Sequence, residues 1–109
     1  MVNKIEFKDW QNLDIRVAEI LDVQDHPNAD KLYVIKINLG EEERTIVAGI
    51  KTNYTKEELK GKKIIVFTNL EPAVLRGVKS EGMLFAASEG DKVVLLTVDK
   101  DISPGSKIS

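Results

Sequence analysis

The sequence contains no cysteine. This absence excludes a disulfide framework, a thiolate metal site and a cysteine nucleophile, and it fits a reducing compartment. Long apolar runs are also missing, since no segment approaches the length of a membrane span and residues 1–10 lack the apolar core of a secretory signal. We therefore expect a soluble, cytoplasmic protein with no membrane partner. Its 109 residues predict a single domain, over 1–109, with a real hydrophobic core.

Histidine and aromatic residues are scarce as well. The one histidine, His26, has only turn carboxylates near it in sequence, so we expect neither a metal site nor another cofactor. Ser80 has no identifiable base and no carboxylate pair is placed for acid–base chemistry, so we expect no enzymatic activity. Aromatic residues make up 6% of the chain and are scattered, which argues against a stacking platform for single-stranded nucleic acid.

The formal net charge of −2 conceals an uneven distribution. Between Lys51 and Ser80 there are seven cations and three anions, a balance of +4 that leaves −6 for the rest of the chain. A polyanion responds to the local field within a Debye length of about 8 Å at physiological salt. This segment is therefore a candidate surface for nucleic acid, although the same lysines could equally be solvated flanks of a short helix.

Alternating apolar residues predict strands in the first half of the chain. The first strand covers residues 15–23, where Ile20 is out of phase with a period of two and indicates a bend or bulge. The second strand covers residues 33–39, the acidic run 41–43 marks a hairpin tip, and the third strand covers 44–50. Residues 10–13 are expected to seat the preceding segment against the core.

One clear helix signal follows. Thr55 and Glu58 have the spacing of a capping box, and Gly61 is a suitable stop. The helix has room for only one or two turns, so packing must hold it, and we expect it to close one end of a barrel.

The second half of the chain completes the predicted fold. Residues 62–67 are apolar on both faces and predict a central strand, residues 83–87 predict another buried strand, and residues 92–98 predict the last one. Residues 99–109 form a closing turn and C-terminal extension. The order is that of an all-β, five-stranded OB-fold barrel with one short helix between strands 3 and 4. An SH3-like barrel or a small sandwich fits the same pattern.

The connection from Asn69 to Ser88 is unusually rich in turn-forming residues. It contains Gly77 and Gly82, for which we expect positive φ angles, and it carries the cations Arg76 and Lys79. Loops that are sharply shaped and chemically loaded are more often binding sites than plain connectors.

Five segments resemble, in order, the signature blocks of the tRNA-binding domain that is appended to methionyl-tRNA synthetases and also occurs as free-standing tRNA-binding proteins. They are LDIRV at 13–17, HPNADKLY at 26–33, ERTIVAGI at 43–50, NLEP at 69–72 and RGVKSEGM at 76–83. The resemblance implies an OB fold, a homodimer, and binding of folded tRNA by its shape. It also implies an accessory factor or beta subunit of methionyl-tRNA synthetase that performs no chemistry itself.

The resemblance further implies a set of contact residues. It assigns the tRNA-facing patch to Asn69, Arg76, Ser80 and Met83, and backbone contacts to Lys31, Lys51 and Lys79. Considered alone, Arg76 and Lys79 can pair with phosphates. Asn69 and Ser80 could bind a nucleotide or satisfy backbone groups of the turn, and Met83 could meet a base or belong to the core.

The chain departs from the family pattern at three positions. Relatives usually carry a lysine where Glu71 stands and basic residues where Ala73 and Val74 stand. Each lost phosphate contact should lower the salt slope of binding by about one unit. These losses, with the acidic net charge, leave open a dimeric peptide-binding export chaperone of the same fold, against which the intact block at 80–83 argues.

Overall fold

The computed structural model describes residues 3–109 and is mostly β-structure, as predicted. Its elements, in chain order, are α1 (Phe7–Gln11), β1 (Ile15–Asp25), β2 (Tyr33–Asn38), β3 (Glu43–Ala48), α2 (Lys56–Leu59), β4 (Lys63–Phe67), β5 (Ala73–Leu75), β6 (Val78–Ser80), β7 (Met83–Leu84), β8 (Ala86–Glu89) and β9 (Lys92–Leu95). Five strands form one antiparallel sheet in the order β3-β2-β1-β4-β7, and β5–β6 and β8–β9 form separate ribbons. In this part of the chain, neither helix is long and apolar enough to cross a membrane.

The sheet curls because β1 is long and bulged. Its first half pairs with β4 and its second half with β2, and the register with β2 shifts between Ile20 and Asp22. Such a bulge bends a strand and increases its twist, so the predicted irregularity at Ile20 is confirmed. The sheet edges then approach each other, since the Glu81 N–H donates to the Thr45 carbonyl of β3 at 2.9 Å just before β7 begins. The five strands therefore form a strongly curled half-barrel.

The inner face of the curl holds the main core, and α2 contributes to it. The largest fully buried side chains of this face include Ile20, Ile35, Ile37, Ile46, Leu59, Ile64 and Val66. The predicted capping box is confirmed, because the Glu58 N–H donates to Thr55 Oγ1 at 3.2 Å and the Thr55 N–H donates to Glu58 Oε1 at 2.6 Å. Gly61, with φ of 86°, ends the helix as predicted and donates its N–H to the Ile20 carbonyl at 2.8 Å.

The outer face of the sheet carries a second apolar group, which we call the outer cluster. Its buried members are Ile15, Val17 and Ile65, and the half-buried side chains of Trp10, Leu13, Phe85, Val98 and Ile108 pack against them. Residues 10–13 thus seat the preceding segment as predicted. The alternation of Ile64 and Val66 inward with Ile65 outward confirms that β4 is apolar on both faces.

Residues 105–108 lie alongside β1 as an additional segment of sheet. The Gly105 N–H donates to the Val17 carbonyl at 2.7 Å, and the Ile108 N–H donates to the Ile15 carbonyl at 2.8 Å. Gly105 has φ of 90°, and a Cβ at this position would lie 2.3 Å from the Leu39 carbonyl oxygen. The predicted closing turn is therefore present. Lys107, Ile108 and Ser109 also share a shallow cleft with side chains of residues 7–13.

Several details differ from the predictions, and the third strand, predicted over 44–50, covers Glu43–Ala48. Of the buried strand predicted at 83–87, only Met83 and Leu84 join the sheet, as β7 beside β4. The rest of that prediction is wrong, because the chain leaves the sheet at Phe85, which stacks on Phe67 with ring centroids 6.5 Å apart, and residues 86–89 form an exposed ribbon with β9. The last strand ends at Leu95 rather than at residue 98. Helix α1 and the hairpin β5–β6 are not predicted by the sequence pattern.

Candidate nucleic-acid interface

The connection between β4 and β7 contains a hairpin that projects from the sheet. Its strands β5 and β6 are joined by Arg76 and Gly77, whose φ angles are 54° and 92°. Two consecutive residues with positive φ are the requirement of a type I′ turn, whose twist matches that of paired strands. Arg76 is the only non-glycine residue within 3–109 with positive φ. The positive φ angles predicted for Gly77 and Gly82 are also present, at 92° and 151°.

Strand register decides which side chains of this hairpin face solvent. Val74 lies directly opposite Lys79, and both are exposed. Ser80 faces the other way and is only 5% exposed. Its Oγ accepts the Val47 N–H at 2.9 Å and donates to the Gly82 carbonyl at 3.0 Å. The hairpin therefore presents Lys79 outward and uses Ser80 to attach β6 to β3.

Arg44, which the sequence pattern does not single out, braces the root of the connection. Its guanidinium donates to the carbonyls of Thr68 at 2.6 Å and Glu81 at 3.3 Å, which flank residues 69–80 on either side. It also pairs with Glu42 at 2.8 Å. The available sequence signal is an isolated arginine beside the apolar run of β3, and its partners cannot be read from local spacing.

Asn69 also serves the root of this connection. Its Oδ1 accepts the Asp14 N–H at 2.8 Å, and its Nδ2 donates to the Asn12 carbonyl at 2.7 Å. Both ends of the amide are thus engaged with the segment that leads from α1 into β1. Met83 lies further along, 52% exposed, at the start of β7 opposite Phe67.

The loop between β1 and β2, residues 26–32, meets the hairpin tip. Arg76 donates from its guanidinium to the Asn28 carbonyl at 3.3 Å, and Asn28 Nδ2 donates to the Arg76 carbonyl at the same distance. His26 is 6% exposed and hydrogen-bonds the Leu75 carbonyl at 2.8 Å. The exposed Lys31 belongs to the same loop. Lys31 therefore lies on the loop that contacts the Arg76 turn, and the sequence pattern, which predicts only strand termination at His26, misses the contact between loop and hairpin.

Lys51 lies at the other side of this loop and is already paired. Its Nζ is 3.1 Å from Asp25 Oδ1, and Lys56 Nζ is 3.1 Å from Asp25 Oδ2. Hydrogen bonds from Lys51 and Lys56 lower the pKa of Asp25 below its ordinary value. Because Asp25 stays ionised at neutral pH, it offsets part of the positive charge predicted for this segment. Within residues 3–109, no cluster of histidine, aspartate and glutamate side chains is arranged to hold a metal ion.

A domain-family model described as "Putative tRNA binding domain" matches residues 15–107. The chain belongs to this tRNA-binding domain family. The match confirms the family predicted from the five signature segments. It spans the curled sheet, the hairpin β5–β6 and residues 105–107 beside β1.

Individual members of the family resemble the chain closely. The methionine–tRNA ligase of Nanoarchaeum equitans is 55% identical over 104 residues, which are 95% of this chain but 13% of that ligase. The crystal structure of a MetRS related protein from Pyrococcus horikoshii has a TM-score of 0.92 and 32% identity, covering 99% of this chain and 100% of that one. The CsaA chaperone protein from Picrophilus torridus has a TM-score of 0.90 and 39% identity, covering 97% and 100%. The chain thus resembles both a small part of a synthetase and two entire small proteins.

Proposed function

We propose that this chain binds folded tRNA by its shape, catalyses no reaction and acts as an accessory factor or beta subunit of methionyl-tRNA synthetase. The observation that supports the proposal most is the contact, in a member of a tRNA-binding domain family, between the hairpin that carries Arg76 and Lys79 and the loop that carries Lys31. Cations on separate loops can contact separate phosphates, which fixes the orientation of a folded RNA without reading its bases.

We assign the contact residues as follows. Arg76 pairs with phosphate through its planar guanidinium, Lys79 and Lys31 act as point charges, and the exposed Met83 offers an apolar contact to a base. Lys51 contributes to the local field despite its pairing with Asp25. Asn69 and Ser80 act mainly through the shape of the connection, because their polar atoms already bind backbone groups. No cofactor takes part.

We further infer that the curled sheet is an OB-fold barrel, that residues 1–109 form one domain, and that the protein works in the cytoplasm. The closure of the sheet by the 2.9 Å bond from Glu81 to Thr45, and the buried Leu59 of α2 in its core, support the barrel.

A homodimer is part of the proposal. Three half-buried side chains of the outer cluster, Trp10, Leu13 and Ile108, line one cleft with Phe7, which is 70% exposed. Contiguous apolar surface of this kind marks interaction sites in proteins. A second copy placed on this face covers the outer cluster and doubles the number of cationic hairpins available to one ligand, which strengthens binding through effective concentration.

The decisive experiment is filter binding of deacylated tRNA over a series of salt concentrations. We expect saturable binding that weakens as salt rises, and Arg76→Ala and Lys79→Ala should each lower the slope against log salt by about one unit. Lys100→Ala, which removes an exposed lysine outside the hairpin, is the matched control and should leave the slope nearly unchanged. Absence of saturable binding even at low ionic strength would overturn the proposal.

The alternative function is that of a dimeric peptide-binding export chaperone. It is favoured by the likeness to the CsaA chaperone protein and by the exposed apolar side chains Leu70, Leu75 and Val74, at 43%, 39% and 70%, around the hairpin. Suppression of the aggregation of an unfolded client, in a protein that does not bind tRNA, would favour this function over RNA binding.

A further inference from the structure

We propose that His26 and Asn28 are positioning residues that lock the Arg76–Gly77 turn to the loop after β1 and so fix the spacing of the cationic side chains. This inference rests on the proposed RNA binding. Neither residue needs to touch the RNA, because each acts through Arg76 and the backbone of the hairpin.

The imidazole of His26 hydrogen-bonds through both of its ring nitrogens and joins the loop after β1 to the hairpin. Its Nδ1 accepts the Asn28 N–H at 2.9 Å, and its Nε2 lies 2.8 Å from the Leu75 carbonyl. Because an amide N–H can only donate and a carbonyl can only accept, Nδ1 must be unprotonated and Nε2 must carry the hydrogen. The ring is therefore neutral, singly oriented and buried, with no hydrogen-bonding capacity left over for a ligand.

The hairpin needs such a bridge. A two-stranded hairpin is at best marginally stable in water, and these strands are only three residues each. All three residues of β5 are exposed, so no buried side chain of β5 anchors it. Strand β6 is attached to β3 through Ser80. Strand β5 is attached instead at its last residue, where the Leu75 carbonyl accepts the bond from His26.

Asn28 completes the lock at the turn itself. Its carbonyl accepts the Arg76 guanidinium and its side-chain amide donates to the Arg76 carbonyl, each at 3.3 Å. The turn carries Arg76 and the loop carries Lys31, so a fixed contact between them fixes the distance between two phosphate-binding groups. Preorganised groups lose less conformational entropy on binding, which raises affinity without any new contact.

The experiment compares substitutions at His26 by two measurements on the intact chain. Hydrogen exchange of the backbone amides of residues 73–80, without RNA, reports the order of the hairpin. Filter binding of deacylated tRNA at low salt reports how much the ordered hairpin contributes to RNA affinity. We expect His26→Ala to speed exchange in the hairpin by about tenfold and to weaken tRNA binding by about fivefold to tenfold, since the Asn28 N–H and the Leu75 carbonyl lose their part-buried hydrogen bonds.

Two conservative variants separate the halves of the bridge. In His26→Gln the side-chain Nε2 lies as many bonds from Cα as the histidine Nε2, so it can still donate to Leu75. In His26→Asn the Oδ1 takes the place of Nδ1, so only the bond from Asn28 is kept. We expect glutamine to restore most of the protection and tRNA affinity, and asparagine to restore little.

Tyr54→Phe controls for general loss of stability. The phenol oxygen of Tyr54 accepts the Leu95 N–H at 2.9 Å. Removing this oxygen deletes a comparable hydrogen bond that involves no residue of the hairpin. We expect this variant to leave both hairpin exchange and tRNA affinity unchanged. In the double variant Arg76→Ala with Lys79→Ala, adding His26→Ala should weaken binding by less than about twofold, because the groups it positions are gone.

The possible results have distinct meanings. Unchanged hairpin exchange in His26→Ala overturns the lock, and faster exchange with unchanged tRNA affinity overturns its positioning role. An equal loss of affinity when His26→Ala is added to the unsubstituted chain and to the double variant Arg76→Ala with Lys79→Ala also overturns that role, because it indicates general destabilisation. Failure of the unsubstituted chain to bind tRNA overturns the proposed function itself, whereas intact binding with unaltered His26→Ala affinity overturns only this inference.

Discussion

Ser80 shows how a polar side chain of the candidate interface can act on the fold rather than on a ligand. Its hydroxyl joins the Val47 N–H of β3 to the Gly82 carbonyl while the residue is 5% exposed. The presence of a serine in a functional loop can be read from the sequence, but its direction cannot. A shift of strand register by one residue turns every side chain of a strand to the other face, and the register of β5–β6 is set by the turn.

We expect Ser80→Ala to lower the free energy of unfolding by about 1–3 kcal/mol, because it leaves the buried Val47 N–H without an acceptor. Urea denaturation measures this loss, and Ser88→Ala, at an exposed serine, should change it by less than about 0.5 kcal/mol. A variant of undiminished stability that nevertheless binds tRNA weakly would instead identify Ser80 as a direct contact.

Asp25 is expected to oppose binding of a polyanion, because its carboxylate forms ion pairs with Lys51 and Lys56 and so offsets their positive charge. Asp25→Asn should therefore tighten tRNA binding at low salt by about twofold to fivefold and steepen its salt dependence. Filter binding measures both quantities, and Asp91→Asn, at an exposed turn aspartate, is the control. Weaker binding by Asp25→Asn would show instead that Asp25 orients the two lysines productively.

The pH dependence of the Asp25 ion pairs follows from the same geometry. Because the folded-state pKa of Asp25 is lowered by Lys51 and Lys56, its stabilising contribution is fully present above the unfolded pKa of about 3.9. It is lost as the pH falls through the lower folded value. The stability difference between the unsubstituted chain and Asp25→Asn, followed by urea denaturation, should therefore be constant near neutral pH and disappear only in strong acid.

Among the elements, those with local signals are the predictable ones. The position of Ile20, out of phase with a period of two, predicts the bulge of β1, and the spacing of Thr55 and Glu58 predicts α2. The hairpin β5–β6 has strands too short to establish a period, and α1 begins at Phe7 after an N-cap residue, Glu6, that makes no side-chain capping bond. Residues 83–87 are apolar in composition, but their burial depends on where the chain leaves the sheet at Phe85. That point is set by tertiary packing and cannot be read from the local sequence.

The attachment of residues 105–108 to β1 depends on one glycine. At Gly105 a Cβ would clash with the Leu39 carbonyl oxygen at 2.3 Å, in a region of φ that side chains avoid. We expect Gly105→Ala to lower the free energy of unfolding by more than about 2 kcal/mol in urea denaturation. Gly90→Ala is the matched control, since Gly90 has φ of 59° but no atom within 4 Å, and it should cost only about 1 kcal/mol of backbone strain. Equal losses in the two variants would contradict the steric explanation.

At the scale of the whole molecule, the proposed homodimer can be tested at the outer cluster. Phe7→Asp places a charge on an exposed side chain that lines a cleft with Trp10, Leu13 and Ile108, so it should convert the proposed dimer to monomer in sedimentation equilibrium without unfolding the chain. Val74→Asp is matched in exposure, at 70%, but lies on the hairpin and should leave the dimer intact. A monomeric unsubstituted chain at micromolar concentration would contradict the dimer, and disruption by Val74→Asp alone would move the interface to the hairpin.

Residues near the two ends of the described chain share one cleft, in which Trp10 and Leu13 lie beside Lys107 and Ile108. Phe7 and Ser109 line the same cleft, so a short linker between them should allow a circular permutant opened in the exposed β8–β9 turn to keep the curled sheet. End segments that lie close together are also what allows one domain to be inserted into another protein.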